Sequence, residues 1–249
     1  MRSDGWRAEP QLRKIADHGS KGKTPFYRSE RVMDWMNIHG DYVQGYKDRK
    51  ISYTVLSKTE SKAKGLAIIF PGQGYTAQAP LLYYSTGIYL NQNYDVLQVN
   101  YQYNDPFYRE FGFEEIAEAI RTDVGAVIDH ALQNASYDDY ALIGKSIGTI
   151  ALGFEVQREL FRNAKVIWFT PLLGRDFVWN AMMRSKQRGL CFIGDNDSCY
   201  IEERFQQLRE NPKLTLRLIP GVNHGLEYET DLFPSLDVLK QVMKEVEAF

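Results

Sequence analysis

The ten residues Tyr140-Ala141-Leu142-Ile143-Gly144-Lys145-Ser146-Ile147-Gly148-Thr149 run from an unbroken apolar stretch into a G-x-S-x-G turn and out into small and aliphatic residues. An apolar run without polar alternation is what a strand covered on both faces requires. The glycines at 144 and 148 have a steric reason. A sharp strand-to-helix turn strains the central residue, and a side chain two positions to either side would collide with the neighbouring strand or helix. Ser146 is then presented at a helix N-terminus, where the N–H of Ile147 and the positive end of the helix dipole can hold an oxyanion.

Working outward, further short apolar runs follow the same rule: Leu66 to Phe70, Val96 to Val99, Val166 to Phe169 and Leu190 to Ile193. Between them lie stretches of helical spacing, one with Ile116, Ile120, Val124, Ile128 and Leu132, another with Ile150, Phe154 and Leu160. A strand at Leu214, Leu216 and Leu218 and an amphipathic helix with Leu239, Val242, Met243 and Val246 close the chain. The β-α-β-α order predicts an α/β domain over residues 31–249, with a mostly parallel sheet and helices on both faces. Ile51, Tyr53 and Val55, alternating with Ser52 and Thr54, predict antiparallel strands at its edge. Residues 1–30 carry Arg2, Arg7, Arg13, Lys14, Lys21, Lys23 and Arg28 with few branched apolar residues, and are expected to form a loosely attached basic extension.

A serine hydroxyl is a weak nucleophile at neutral pH and needs a histidine base, itself oriented by a carboxylate. Of the four histidines, His18 lies in the extension, His39 precedes the sheet, and His130 sits on a helix where packing accounts for it. His224, in the loop after the last strand, is the candidate base. The strand ending at Ile193 runs into Gly194-Asp195-Asn196-Asp197, which places two carboxylates at the edge where α/β sites assemble. Asp197 has the longer loop to reach inward. Asp195 stands as the alternative, and whichever is not used is expected to make an Asx-type turn.

Two competing motifs fail on their own requirements. Gly144-Lys145-Ser146 resembles the end of a P-loop, but the first glycine of that motif is replaced by Asp139. Gly72-Gln73-Gly74-Tyr75-Thr76-Ala77 resembles a dinucleotide-binding loop, but the next strand ends in Asn100 and Tyr101 rather than an acid. A balance of 30 Lys and Arg against 32 Asp and Glu excludes a broad phosphate-binding footprint, so no nucleic-acid partner is expected. Two cysteines cannot form a disulfide framework, and the longest apolar run is too short to cross a bilayer. No membrane span and a cytoplasmic location are therefore expected. Nothing in the pattern sets an oligomeric state.

The chain order Ser146, Asp197, His224, with the turn after a middle strand, resembles the α/β-hydrolase superfamily over residues 50–249, and within it the small-cap or capless esterases and dienelactone hydrolases. The acid in that family commonly follows its strand as G-x-x-D, as Gly194 to Asp197 does. The resemblance implies a Ser146-Asp197-His224 catalytic triad with no metal or organic cofactor. It also implies an oxyanion hole from the N–H groups of Ile147 and Gln73, with Gly74 as a substitute, although Pro71 stands where the family often has histidine. The implied activity is hydrolysis of a carboxylic ester or thioester of a small acyl substrate. The same triad serves peptidases, lipases and acyltransferases, and a binding protein could keep the fold without catalysis. About twenty residues separate the strands ending at Phe169 and beginning at Leu190, so little or no lid is expected. The aromatic loop with Tyr103 and Phe107, together with Gly74, Tyr75 and Leu172, is expected to line the substrate site. Lys145, inside the turn, is expected to pair with an acidic neighbour on the surface.

Overall fold

The computed structural model describes residues 36–58 and 62–249. The basic extension expected at residues 1–30, including His18, lies outside the described residues. Eight strands form one sheet in the order β1-β2-β4-β3-β5-β6-β7-β8. β1 (Met36–Gln44) and β2 (Lys50–Lys58) pair antiparallel, with Gly40 opposite Thr54, and β2 runs antiparallel to β4 (Tyr94–Asn100). β3 (Gly65–Phe70), β4, β5 (Asp139–Lys145), β6 (Lys165–Phe169), β7 (Arg188–Gly194) and β8 (Leu214–Ile219) are parallel.

The period of two splits each central strand between two cores. On β3, Leu66, Ile68 and Phe70 enter one core while Ala67 and Ile69 enter the other. The first core lies beneath α2 (Phe113–Ala131), α3 (Gly148–Glu155), α4 (Asp176–Arg184) and α5 (Glu202–Gln207), and the second beneath α1 (Pro80–Asn91) and α6 (Leu232–Ala248). Every residue of β3 is buried, as the unbroken apolar run requires. On β2, which lies between the edge strand β1 and β4, buried Ile51 and Tyr53 flank exposed Ser52, the signature of a strand with one covered face.

α2 follows the predicted spacing, burying Ile120, Val124 and Ile128, with Glu114 and Glu115 in its first turn beside the positive end of the helix dipole. The expectation that Ile150, Phe154 and Leu160 share one helix needs correction. α3 ends at Glu155, and Leu160 falls in a separate 3-10 turn, Glu159–Phe161, where Phe161 is buried and Leu160 is exposed. His130 accounts for itself by packing, its Nδ1 lying 2.8 Å from the Tyr53 hydroxyl. Only the nine-residue α4 stands between β6 and β7, so no lid covers the carboxyl edge of the sheet there. Among the described residues no helix is long and apolar enough to cross a membrane.

Candidate active site

β5 lies at the centre of the parallel strands and delivers Ser146 to the carboxyl edge. Ser146 has φ 55°, a left-handed conformation that L-residues rarely adopt, and Ile147 caps the N-terminus of α3 immediately behind it. The glycines make this turn possible. A Cβ at Gly148 would collide with the carbonyl oxygens of Phe70 and Pro71, the latter at 2.7 Å, and one at Gly144 would lie 2.7 Å from both the Gly148 carbonyl oxygen and the Leu152 side chain. Helix, sheet and the loop after β3 therefore approach one another more closely than any side chain at these two positions would permit.

Two loops complete the arrangement. The His224 loop follows β8 and brings Nε2 to 2.8 Å from Ser146 Oγ. The loop after β7 brings the Asp197 carboxylate to 2.8 and 2.9 Å from His224 Nδ1. The Asp197 side chain is fully buried and the His224 ring is about a third exposed, so the carboxylate is shielded while the imidazole faces the site. Gly194 lets the two loops meet, because a Cβ there would strike the Val222 carbonyl group. Of the two acids, Asp197 is the one that faces the imidazole, with the turn chemistry reversed from expectation. Asp197 also accepts from the Cys199 N–H at 2.8 Å, an Asx-type turn, whereas Asp195 reaches across to accept from the Gly221 N–H at 2.6 Å.

The loop after β3 lies opposite. Gly72 and Tyr75 exchange backbone hydrogen bonds at 2.9 and 3.2 Å, leaving Gln73 and Gly74 at the tip of a tight turn in which Gly74 has φ 71°. The Gln73 amide donates to the Tyr103 carbonyl at 3.3 Å, and the Tyr101 hydroxyl donates to the Pro71 carbonyl at 2.7 Å. Among the described residues, the backbone N–H groups of Gln73 and Ile147 donate to no protein acceptor. Both residues border the same cavity as Ser146.

That cavity measures about 760 Å³, within the range of small-molecule sites. Tyr103 and Leu172 line it as expected. Three other expected contacts lie elsewhere. Phe107 packs against the rings of Tyr108 and Phe111, Tyr75 borders a separate cleft with Leu226 and Glu227, and a Cβ on Gly74 would point into open space. The wall also includes Tyr108, from the expected aromatic loop, and Phe111, Phe113 and Ile116, which the sequence reading missed. The available signal was that α2 starts with Phe113 and Ile116 at helical spacing, directly after the aromatic loop. The loop itself is pinned from below, where the Tyr103 hydroxyl donates to buried Asp123 at 2.7 Å.

Lys145 departs most from expectation. It is not a surface residue but 2% exposed, and its Nζ donates to the His224 carbonyl at 3.0 Å while lying 4.7 Å from the centre of the Tyr75 ring. Desolvation lowers its pKa to about 8 against the opposing pull of Asp197, Cys199 and Glu227. One side chain thereby ties the serine turn to both facing loops. Asp197, Cys199 and His224 also bring potential metal-ligating atoms within 4.8 Å of one another. The carboxylate and imidazole are bonded to each other, so a cation held there would have to break that bond. Burial, followed by the nearby Asp197 charge, pushes the Cys199 thiol up, so this group is less nucleophilic than an ordinary cysteine.

No protein-family model matches the chain, and no curated protein does. Solved structures do. A protein of unknown function from Agrobacterium tumefaciens superposes with a TM-score of 0.65 at 19% identity, over 84% of this chain and 94% of its own. An α/β serine hydrolase homologue from Coxiella burnetii gives 0.62 at 13% identity, over 84% and 96%. Est1E from Butyrivibrio proteoclasticus, solved with ferulic acid bound, gives 0.61 at 16% identity, over 84% and 100%. Sheet order, the turn after the central strand and these superpositions agree that the chain has the α/β-hydrolase fold.

Proposed function

We propose that the protein is a serine hydrolase that cleaves a carboxylic ester or thioester through an acyl-enzyme on Ser146. The observation that carries this reading is the unbroken relay from Ser146 Oγ to His224 Nε2 at 2.8 Å, and from His224 Nδ1 to the buried Asp197 carboxylate at 2.8 Å. His224 Nε2 takes the hydroxyl proton as Oγ attacks the carbonyl carbon, and Asp197 stabilises the resulting imidazolium and holds the ring in orientation. The oxyanion settles between the N–H groups of Ile147 and Gln73, and the dipole of α3 adds to their effect. The imidazolium returns its proton to the departing alcohol or thiol. Water, activated by the same histidine, then releases the acid and restores the serine.

The magnitudes assign the largest share to the relay. Loss of one oxyanion donor typically costs about 100- to 1,000-fold, and loss of the nucleophile on the order of a million-fold. A cold-adapted esterase from an Arctic intertidal metagenomic library shares the fold, which is consistent with ester chemistry on this scaffold. The test is labelling with a fluorophosphonate probe alongside hydrolysis of p-nitrophenyl esters and acyl thioesters. Wild type should label and turn over, and Ser146→Ala should do neither while keeping its far-UV circular dichroism. An unchanged rate in that folded variant would remove Ser146 from the mechanism, and a folded wild type silent to probe and esters would favour a binding role.

A further inference from the structure

Six of the eleven arginines among the described residues are ion-paired. Arg49, Arg121, Arg158, Arg162, Arg204 and Arg217 each lie within 4.0 Å of a carboxylate. Arg109 and Arg175 have no ion pair among the described residues, and both border the cavity that holds Ser146. Asp176, the acid next to Arg175, is held by Arg204, so it does not neutralise its neighbour. The one carboxylate lining the cavity, Asp105, is also committed. Its Oδ2 lies 3.4 Å from Arg49, and its Oδ1 accepts from the Phe107 N–H at 2.8 Å. The cavity therefore carries two positive charges without an answering negative one.

The placement of Arg175 adds direction. Its guanidinium carbon lies 4.0 Å from the centre of the Phe113 ring, which also lines the cavity. Stacking occupies the face of a guanidinium and leaves its in-plane N–H donors free, in the fork geometry that matches a carboxylate. Tyr108, Phe111, Phe113, Ile116 and Leu172 give the wall an aromatic and apolar side, and Gln73, Asn104 and Ser198 give it a polar one.

From this we infer that the site takes an anionic substrate, an ester or thioester whose non-reacting end carries a carboxylate received by Arg109 and Arg175, with an apolar segment along the aromatic wall. The inference rests on the reading of Ser146 as the nucleophile for its chemistry, though not for binding.

Binding and turnover separate the two claims. The Ser146→Ala variant is titrated calorimetrically with three uncleaved esters: neutral p-nitrophenyl butyrate, mono-p-nitrophenyl glutarate with its carboxylate on the acyl side, and 3-carboxy-4-nitrophenyl butyrate with its carboxylate on the alcohol side. At least one carboxylate ester should bind tenfold or more tighter than the neutral one. Arg109→Gln with Arg175→Gln in the same background should erase that preference, with circular dichroism reporting the fold. Equal affinity for all three esters, or a preference that survives removal of both arginines, would overturn the inference. If wild type hydrolyses the esters while Ser146→Ala shows no preference, the anionic substrate falls and the hydrolase reading stands. If Ser146→Ala selects a carboxylate ester that wild type never cleaves, the hydrolase reading falls and the anion site stands.

Discussion

Replacing Lys145 with methionine tests whether the serine turn, the His224 loop and the loop after β3 are joined through one buried ammonium. Burial holds this group at about 8, against 10.5 for an ordinary lysine, a difference worth about 3 kcal/mol between its charged and neutral forms. The sign is set by which state holds the proton. Below pH 8 both folded and unfolded chains are protonated, and the folded state bears the full cost. Between 8 and 10.5 the folded chain releases a proton that the unfolded chain keeps, so stability rises with pH. Integrated from pH 7 to 9.5, the wild type gains about 2 kcal/mol from this group alone. Lys145→Met cannot gain it. At pH 7 the variant sheds the ammonium's desolvation but leaves the His224 carbonyl without its donor, a loss of about 1.5 to 3 kcal/mol, so the two proteins should start close together. Urea denaturation of both at pH 7, 8, 9 and 9.5 measures the divergence, and shared titrations cancel to first order. Esterase turnover in the variant should fall roughly 10- to 100-fold, because a loosened histidine loop misplaces the base. A stability difference constant to within about 0.5 kcal/mol across that range would refute a buried, charged Lys145.

Other substitutions probe the remaining joints. Asp197→Asn should lower kcat by about 10,000-fold by permitting the wrong histidine tautomer. Asp195→Ala, which removes only the acceptor for the Gly221 N–H, should cost about 1 to 2 kcal/mol and leave kcat within severalfold; the reverse ranking in ester assays would exchange their roles. Gly148→Ala drives a methyl group into the backbone carbonyls of Phe70 and Pro71 and should cost about 3 kcal/mol, a drop of roughly 10 °C in Tm, so an unchanged melting curve would contradict the close approach. Glu155 is raised to about 7 by burial, against the pull of Arg158. Its folded state keeps a proton that the unfolded chain releases near 4.5, so wild-type stability should fall as pH rises from 4.5 to 7, by up to about 3 kcal/mol. Glu155→Gln should lack that decline, and parallel urea midpoints over the window would show that Glu155 is not buried as described.

Residues 140–149 alone implied the central strand, the strained serine and the helix behind it, because all three follow from local sterics and apolar periodicity. The parallel strands were legible for the same reason, since a strand buried on both faces tolerates few polar residues. Where the reading failed, the deciding contacts were distant ones. Lys145 is polar and next to the candidate serine, and nothing local shows that its ammonium ends under the carbonyl of a residue 79 positions away. Tyr75 and Phe107 were expected in the site for their chemistry, yet one ring lies beneath Lys145 and the other packs within its own loop.

The sequence by itself determined the fold class, the serine turn, the candidate histidine and a pair of acids, because these depend on burial pattern and turn geometry within a few residues. Only the tertiary structure decided which acid faces the imidazole, which aromatics form the cavity and that two arginines border it with no ion pair among the described residues. Ser146 and Asp197 lie 78 and 27 residues from His224 along the chain. Their meeting depends on strand order and register, which bring the loops after β5, β7 and β8 to one edge of the sheet.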